Sequence, residues 1–120
     1  MKLSKKGIYA VEALINLSNN QGTEGSERDR AIKLDSISYD TNISQQYLEQ
    51  LFRKLRVAEI VKSVKGPNGG YILNKPKDKI TIKDVFKAVG EPIELGNDTF
   101  TGLKGIVNNY LNTETIESLT

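Results

Sequence analysis

The chain of 120 residues has no cysteine, no histidine and no tryptophan, and only three prolines. Without cysteine there is no disulfide, no thiolate nucleophile and no thiolate metal site. Without histidine the usual imidazole ligand and the usual general base near neutral pH are missing as well. Carboxylates, lysines, serines and tyrosines remain, but no spacing gathers them into a catalytic cluster, so the chain does not read as an enzyme. No metal site or cofactor is evident. No apolar run approaches the roughly 20 residues that span a bilayer. The opening "MKLSKKG" leads into a mixed polar and apolar helical pattern, not into the apolar core of a signal peptide. No membrane association and a cytoplasmic location are expected.

Net charge is also small, at +2, yet it is unevenly spread. Between Ser44 and Lys79 eight basic side chains face three acidic ones, a net of +5. From Ile80 onward three lysines face six acids, a net of −3. The first 43 residues balance. A basic middle suits a polyanion and an acidic end suits another task; charge alone fits a merely solvated surface equally well.

What is present is helical periodicity with one hairpin. Ser4 to Asn20 reads as a capped helix whose apolar stripe is Ile8, Val11, Ala13, Leu14, Ile15 and Leu17. "NNQGTEGSERDR" is polar and aperiodic and reads as a mobile loop. A short helix is expected from Leu34 to Thr41, closed by Asn42. Ser44 then caps a second helix, in which Leu48, Leu51, Phe52 and Leu55 fall at i, i+3, i+4 and i+7. The opposite face carries Gln45, Gln46, Glu49, Gln50, Arg53 and Lys54. Two helices joined by a few residues, the second polar in its first turns, form the pattern of a helix-turn-helix.

"VKSVKGPNGGYIL" follows directly. Ile60–Lys65 and Tyr71–Asn74 are strand-like, and Asn68-Gly69 between them is a hairpin signal because both residues tolerate positive φ. Gly66, Pro67 and Gly70 tighten the bend. A hairpin after a recognition-type helix is a wing. The same glycines fit the GxxG loop of KH domains, but that loop joins two helices and these runs are strand-like. The spacing and the terminal Lys-Ser/Thr of a phosphate-binding P-loop are absent. Pro76 ends the wing, and Thr81 with Asp84 caps a further helix that turns Ile82, Val85, Phe86 and Val89 inward until Gly90 and Pro92 stop it. A last helix is expected from Thr99 to Leu111, with Phe100, Leu103, Ile106, Val107, Tyr110 and Leu111 as its stripe. That stripe forms a dimer seam or packs back on the first helix. A dimer would set two recognition helices on successive half-sites.

The fold expected is therefore mainly α with a small β-hairpin: a winged helix-turn-helix over residues 1–90, then a linker and dimerisation helix over 91–120. The candidate partner is double-stranded operator DNA. Gln45, Gln46 and Gln50 offer the donor–acceptor pair that reads adenine, and Glu49 accepts from the amino group of cytosine. Arg53, Lys54, Ser44 and Tyr47 would meet phosphates, and Lys62, Lys65 and Asn68 belong to the wing that tracks the backbone or enters the minor groove. Each of these side chains, taken singly, is more often just solvated, capping or half-buried. Their order along the chain favours DNA. The competing reading is a winged-helix module that docks on a protein through the same face and binds no DNA.

"KLSKKGIYAVEAL", "ISQQYLEQLFRKLRVAEIVKSVKGPNGGYIL" and "ITIKDVFKAVGEPIEL" resemble the Rrf-type winged-helix regulators of bacteria. That family includes the iron–sulfur cluster regulator, the nitric-oxide-sensing repressor and the cysteine-metabolism repressor. The resemblance implies a homodimeric DNA-binding regulator, usually a repressor, with the Thr99–Leu111 helix crossing to the partner subunit. It implies recognition-helix roles for Gln46, Glu49 and Gln50, and a position near the DNA backbone for Lys6 and Tyr9. Lys65 stands where the family usually has an arginine, and Glu59 where it usually has glycine, so the turn into the wing is expected to differ. Cluster-binding members carry three cysteines in a longer loop between Pro92 and Phe100, and this sequence has none. Either the chain belongs to the cluster-free branch or a loop is absent from this sequence. In the cluster-free branch the signal is a regulatory enzyme or a small-molecule effector.

Overall fold

The computed structural model describes residues 4–91. The first helix, α1, spans Lys5–Asn20 and starts where the Ser4 hydroxyl accepts the amide of Gly7 at 3.1 Å. Its buried side is Gly7, Ala10, Ala13, Leu14 and Leu17. Ile8, expected inward, lies outward at 38% exposure, because the inward position there is taken by Gly7 against the Phe86 ring. Val11 and Ile15 are partly buried against the core.

The polar stretch after α1 is not an irregular loop throughout. It holds a one-turn helix, α2, over Glu27–Arg30. Ser26 and Asp29 form a reciprocal capping box: Ser26 N–H donates to Asp29 Oδ2 at 2.9 Å, and Asp29 N–H donates to the Ser26 hydroxyl at 3.4 Å. The Ser26 N–H bond first, and then a second bond donated by the Ser26 hydroxyl to the same oxygen at 3.1 Å, hold the Asp29 carboxyl below its ordinary range. The segment is tied at both ends, by Gly22 N–H to Arg30 O at 3.2 Å and by a bridge between Ile32 and Tyr71.

The helix-turn-helix follows as expected: α3 over Leu34–Thr41 and α4 over Gln45–Val57. Asn42 makes the corner in the left-handed conformation at φ 61°, which its short side chain tolerates. The Ser38 hydroxyl donates to Ile43 O at 2.6 Å and fixes the corner from inside. Ser44 caps α4 by accepting the Tyr47 amide at 3.1 Å. Leu48, Leu51, Phe52 and Leu55 are all fully buried, so the apolar period of α4 faces the core.

At the end of α4, Glu59 N–H donates to Arg56 O and Ile60 N–H to Leu55 O, each at 2.9 Å, the double bond pattern of a Schellman end. Glu59 itself takes the left-handed conformation at φ 62° that glycine would adopt without strain. The wing then pairs β1 (Val61–Val64) with β2 (Gly70–Leu73) antiparallel, Val61 opposite Leu73 and Val64 opposite Gly70. β1 is one residue shorter than expected at each end, whereas β2 keeps its expected length but begins and ends one residue earlier. The turn also differs. Positive φ falls at Gly66 (111°), not at Asn68-Gly69. Gly69 N–H donates to Gly66 O at 2.9 Å, which puts Pro67 and Asn68 at the centre of a four-residue turn. Proline at the first central position fixes negative φ there and selects the type I pattern over the mirror-image hairpin turn.

A short 3₁₀ turn at Lys77–Lys79 follows Pro76. The last described helix, α5 (Ile82–Ala88), has the expected Thr81–Asp84 capping box and buries Ile82, Val85 and Phe86. Val89 is buried just beyond it. The core lies between α1, α3, α4 and α5 with β1 and β2 on one flank, and among the described residues no polar or charged residue is buried in it. The described chain is thus mainly helical with one two-stranded hairpin. The expected helix over Thr99–Leu111, with Phe100, Leu103, Ile106, Val107, Tyr110 and Leu111, lies outside the described residues.

Candidate nucleic-acid interface

Burying Leu48, Leu51, Phe52 and Leu55 leaves the opposite face of α4 in water. Gln45, Gln46, Glu49, Gln50, Arg53 and Lys54 are all exposed, and so is the cap Ser44. The first turns of α4 therefore present amide and carboxylate groups without backbone obstruction, the requirement for a helix that reads base edges in a major groove. Tyr47 is half-buried, its ring edge-on to Tyr9 of α1 at 5.9 Å and 89°. Its ring packs against α1.

The wing leaves α4 through the core. Phe52 and Tyr71 rings lie 5.0 Å apart, which locks β2 onto α4. The Gln21 side chain accepts the Leu73 amide at 2.9 Å, and Asn74 donates to Glu59 O at 3.1 Å, so the hairpin base is held from both sides. At its tip Lys65, Gly66, Pro67 and Asn68 are exposed. A tip of this composition offers one ammonium, one amide and free backbone groups to an anion.

The basic residues do not all remain free. Lys62 Nζ is 2.7 Å from Glu27 Oε2, the one ion pair among the described residues. Both side chains are half-exposed, so the pair contributes well under about 1 kcal/mol but fixes where the lysine points. Lys6 and Lys54 do the reverse. The Lys6 side chain lies against Lys54 and holds its pKa below the ordinary lysine value of 10.5, by a side-chain hydrogen bond first, then by partial desolvation and like charge, with Glu91 opposing. Two ammonium groups side by side make a position that an oxyanion would relieve.

Three residues now tied to the wing escaped the sequence reading: Glu27 and Arg28 of α2, and Gln21. The signal for α2 is present in "SERD", since serine followed three residues later by an acid is a capping box. No sequence signal points to Gln21.

Comparison with known proteins agrees with this geometry. A family model described as Rrf2, iron-dependent transcriptional regulator, matches residues 3–118. A helix-turn-helix-type transcriptional regulator of Neisseria meningitidis serogroup A is 36% identical over 135 residues, spanning 99% of this chain and 87% of that protein. The transcriptional regulator IscR of Cereibacter sphaeroides is 44% identical over 93 residues, 78% of this chain and 57% of that protein. Among solved structures, CymR, the global cysteine regulator of B. subtilis, superposes with a TM-score of 0.80 and 33% identity, covering 99% of this chain and 95% of that one. The IscR of T. potens does so at 0.79 and 31%, covering 99% and 85%. These relatives and neighbours are winged-helix transcriptional regulators and not enzymes.

Proposed function

The chain belongs to the Rrf2 family of transcriptional regulators, and from that premise we propose that it is a homodimeric, operator-binding repressor in the cytoplasm. Residues 1–90 form its DNA-binding domain, and 91–120 carry the linker and the dimerisation helix through Phe100, Leu103, Ile106, Val107, Tyr110 and Leu111. Gln45, Gln46, Glu49 and Gln50 read base edges. Ser44, Tyr47, Arg53, Lys54, Lys6 and Tyr9 hold phosphates, and Lys65 and Asn68 carry the wing contact. The observation that supports this most is the exposed, polar first half of α4 on a helix whose other face is fully buried.

The family description names iron, so the donor set must be asked whether it could hold it. Iron–sulfur clusters take thiolates, or histidine in place of two of them. The sequence has neither cysteine nor histidine. Among the described residues no three His, Cys, Asp or Glu side chains converge. The residues present do not fit a cluster, and the proposed regulator responds instead to a partner enzyme or a small-molecule effector.

The test is fluorescence anisotropy against a library-selected operator and a mixed-sequence duplex, each across a salt series. Binding should weaken steeply with salt. Gln46→Ala or Gln50→Ala should narrow the gap between operator and mixed sequence, whereas Arg53→Ala or Lys65→Ala should weaken both duplexes alike and reduce the salt slope. Salt-indifferent binding, or identical behaviour of the two variant classes, would refute the assignment.

A further inference from the structure

Arg28 lies in a stretch whose sequence reads as loop, yet the fold carries it to the wing tip. A β-carbon placed on Gly66 would lie 3.5 Å from Cζ, Nε and Nη2 of Arg28, so the guanidinium plane rests over that glycine. Gly66 directly follows Lys65, and consecutive Cα atoms are about 3.8 Å apart. The two cations therefore share the exposed end of the hairpin.

The placement is held by structure on every side of α2. The Ser26–Asp29 capping box fixes the turn itself. The Glu27–Lys62 ion pair joins α2 to β1, and the Ile32–Tyr71 bridge joins its trailing end to β2. Within this arrangement the two basic side chains exchange roles. Lys62, on the strand, is neutralised by Glu27 and acts as a strut. Arg28, on the accessory turn, is exposed, and among the described residues it has no carboxylate partner. Lysine gives a wing a point charge, whereas arginine adds a planar fork of donors that matches two phosphate oxygens at once.

We propose that Arg28 is a DNA contact outside the helix-turn-helix, its guanidinium held over Gly66 to grip a backbone phosphate beside Lys65. The proposal rests on the regulator reading above and adds a residue to it. The full chain is titrated against a fluorescein-labelled mixed-sequence duplex of 40 base pairs, across salt, as unaltered protein and as Arg28→Ala, Arg28→Lys, Lys62→Met and Arg53→Ala. Arg28→Ala should bind roughly tenfold more weakly at low salt, with the slope of log affinity against log salt reduced by about 0.9. Arg28→Lys should keep the slope and lose part of the affinity, because charge remains and the fork does not. Lys62→Met should change the slope less than Arg28→Ala does. An unchanged slope in Arg28→Ala beside a reduced one in Arg53→Ala overturns the role of Arg28 and leaves the regulator reading standing. So does the opposite ranking of Arg28 and Lys62, while Arg28→Lys matching the unaltered protein overturns the fork. Salt-independent binding by the unaltered protein overturns the regulator reading itself and Arg28 with it. Arg28 and Arg53 are exposed, so melting temperatures of their three variants should agree with the parent; a slope change without a melting shift is a reading no merely structural role produces.

Discussion

Gly70→Ala changes one methyl group and no charge, yet it should dismantle the flank of the wing. A β-carbon at Gly70 would overlap Ile32 O and would lie 2.5 Å from Ile32 C and 2.9 Å from Lys33 N. Those atoms are backbone, so no side chain can swing away to make room. The segment they belong to is joined to β2 by two bonds only: Ile32 N–H to Tyr71 O at 2.9 Å and Tyr71 N–H to Ile32 O at 2.8 Å. Either the overlap is kept as strain, at about 1–3 kcal/mol, or the segment detaches and forfeits two bonds at about 1 kcal/mol each. Both routes give about 2 kcal/mol. Alanine returns some of this, about 0.5–1 kcal/mol, because its unfolded chain has less freedom than that of glycine. The net loss is about 1–1.5 kcal/mol, or roughly 4–12 °C in melting temperature for a domain of this size. Thermal denaturation reads the first number. Amide exchange of Ile32 and Tyr71 reads the mechanism, since local detachment should cost those two amides about tenfold or more in protection while helix α4 keeps its own. A melting temperature within a degree of the parent, with Tyr71 protection intact, would show that the close approach constrains nothing.

Gly7→Ala sets a methyl group 2.6 Å from Phe86 Cζ and closer still to two other ring carbons, so it should destabilise by about 1–3 kcal/mol; Phe86→Leu in the same chain should recover part of that loss in a double-mutant thermal cycle, and strict additivity would refute the contact. Glu59→Gly should stabilise by about 0.5–1 kcal/mol in urea denaturation, since the left-handed strain at φ 62° is relieved and glycine's extra chain entropy only partly offsets it; a loss of stability would mean that the Glu59 side chain makes a contribution larger than the strain. Ser44→Ala removes the acceptor for the Tyr47 amide and should cost about 1 kcal/mol by the same assay. Lys54 titrates below 10.5 in the free protein, and a phosphate set between it and Lys6 favours the charged form, so its pKa rises on binding. DNA binding should then take up protons at alkaline pH and weaken as pH rises toward 10.5, measured by calorimetry in two buffers of different ionisation enthalpy. For the free fold the sign is opposite: repulsion is relieved as pH rises through the folded-state pKa, so that contribution to stability is present above 10.5 and lost below.

The helix-turn-helix was legible because its signals are local and agree with one another. Ser44 has a hydroxyl for the cap, Asn42 tolerates the left-handed corner, and the apolar period of α4 runs unbroken to Leu55. The hairpin was legible as an element but not in its turn. Asn68-Gly69 is a strong local signal, yet Pro67 sits one place earlier and fixes its own φ, and Gly66 absorbs the positive φ instead. The inward side of α1 was misassigned at Ile8 because a hydrophobicity pattern gives no weight to glycine, and Gly7 is the residue that lets α5 approach. The turn α2 was passed over because four residues carry no periodicity. Its capping box is readable, but its position on the wing is set by contacts 35 and 39 residues apart in the chain, Glu27 with Lys62 and Ile32 with Tyr71. The conformation of Glu59 follows from the Schellman bonds around it, which require the left-handed shape whatever side chain is present.

On the outer face of α4 the side chains proposed to read bases are separate from those that pack the core, and that separation decides how the experiments can be read. No polar or charged residue among those described is buried in the core, so the exposed polar face of α4 contributes nothing to holding the helices together. Substitutions at Gln46, Gln50 or Arg53 should therefore stay within about 0.5 kcal/mol of the parent in stability, and a change in DNA binding there reports contact alone. The wing is the opposite case. Its tip is exposed, but its placement depends on the Phe52–Tyr71 ring contact, the Gln21 side chain and the backbone bridge at Ile32. A loss of DNA binding on Gly70→Ala would not make Gly70 a contact; it would show that Lys65 and Arg28 had been moved. The salt slope separates the two, because a displaced wing loses both cations together while a single truncated cation lowers the slope by about 0.9.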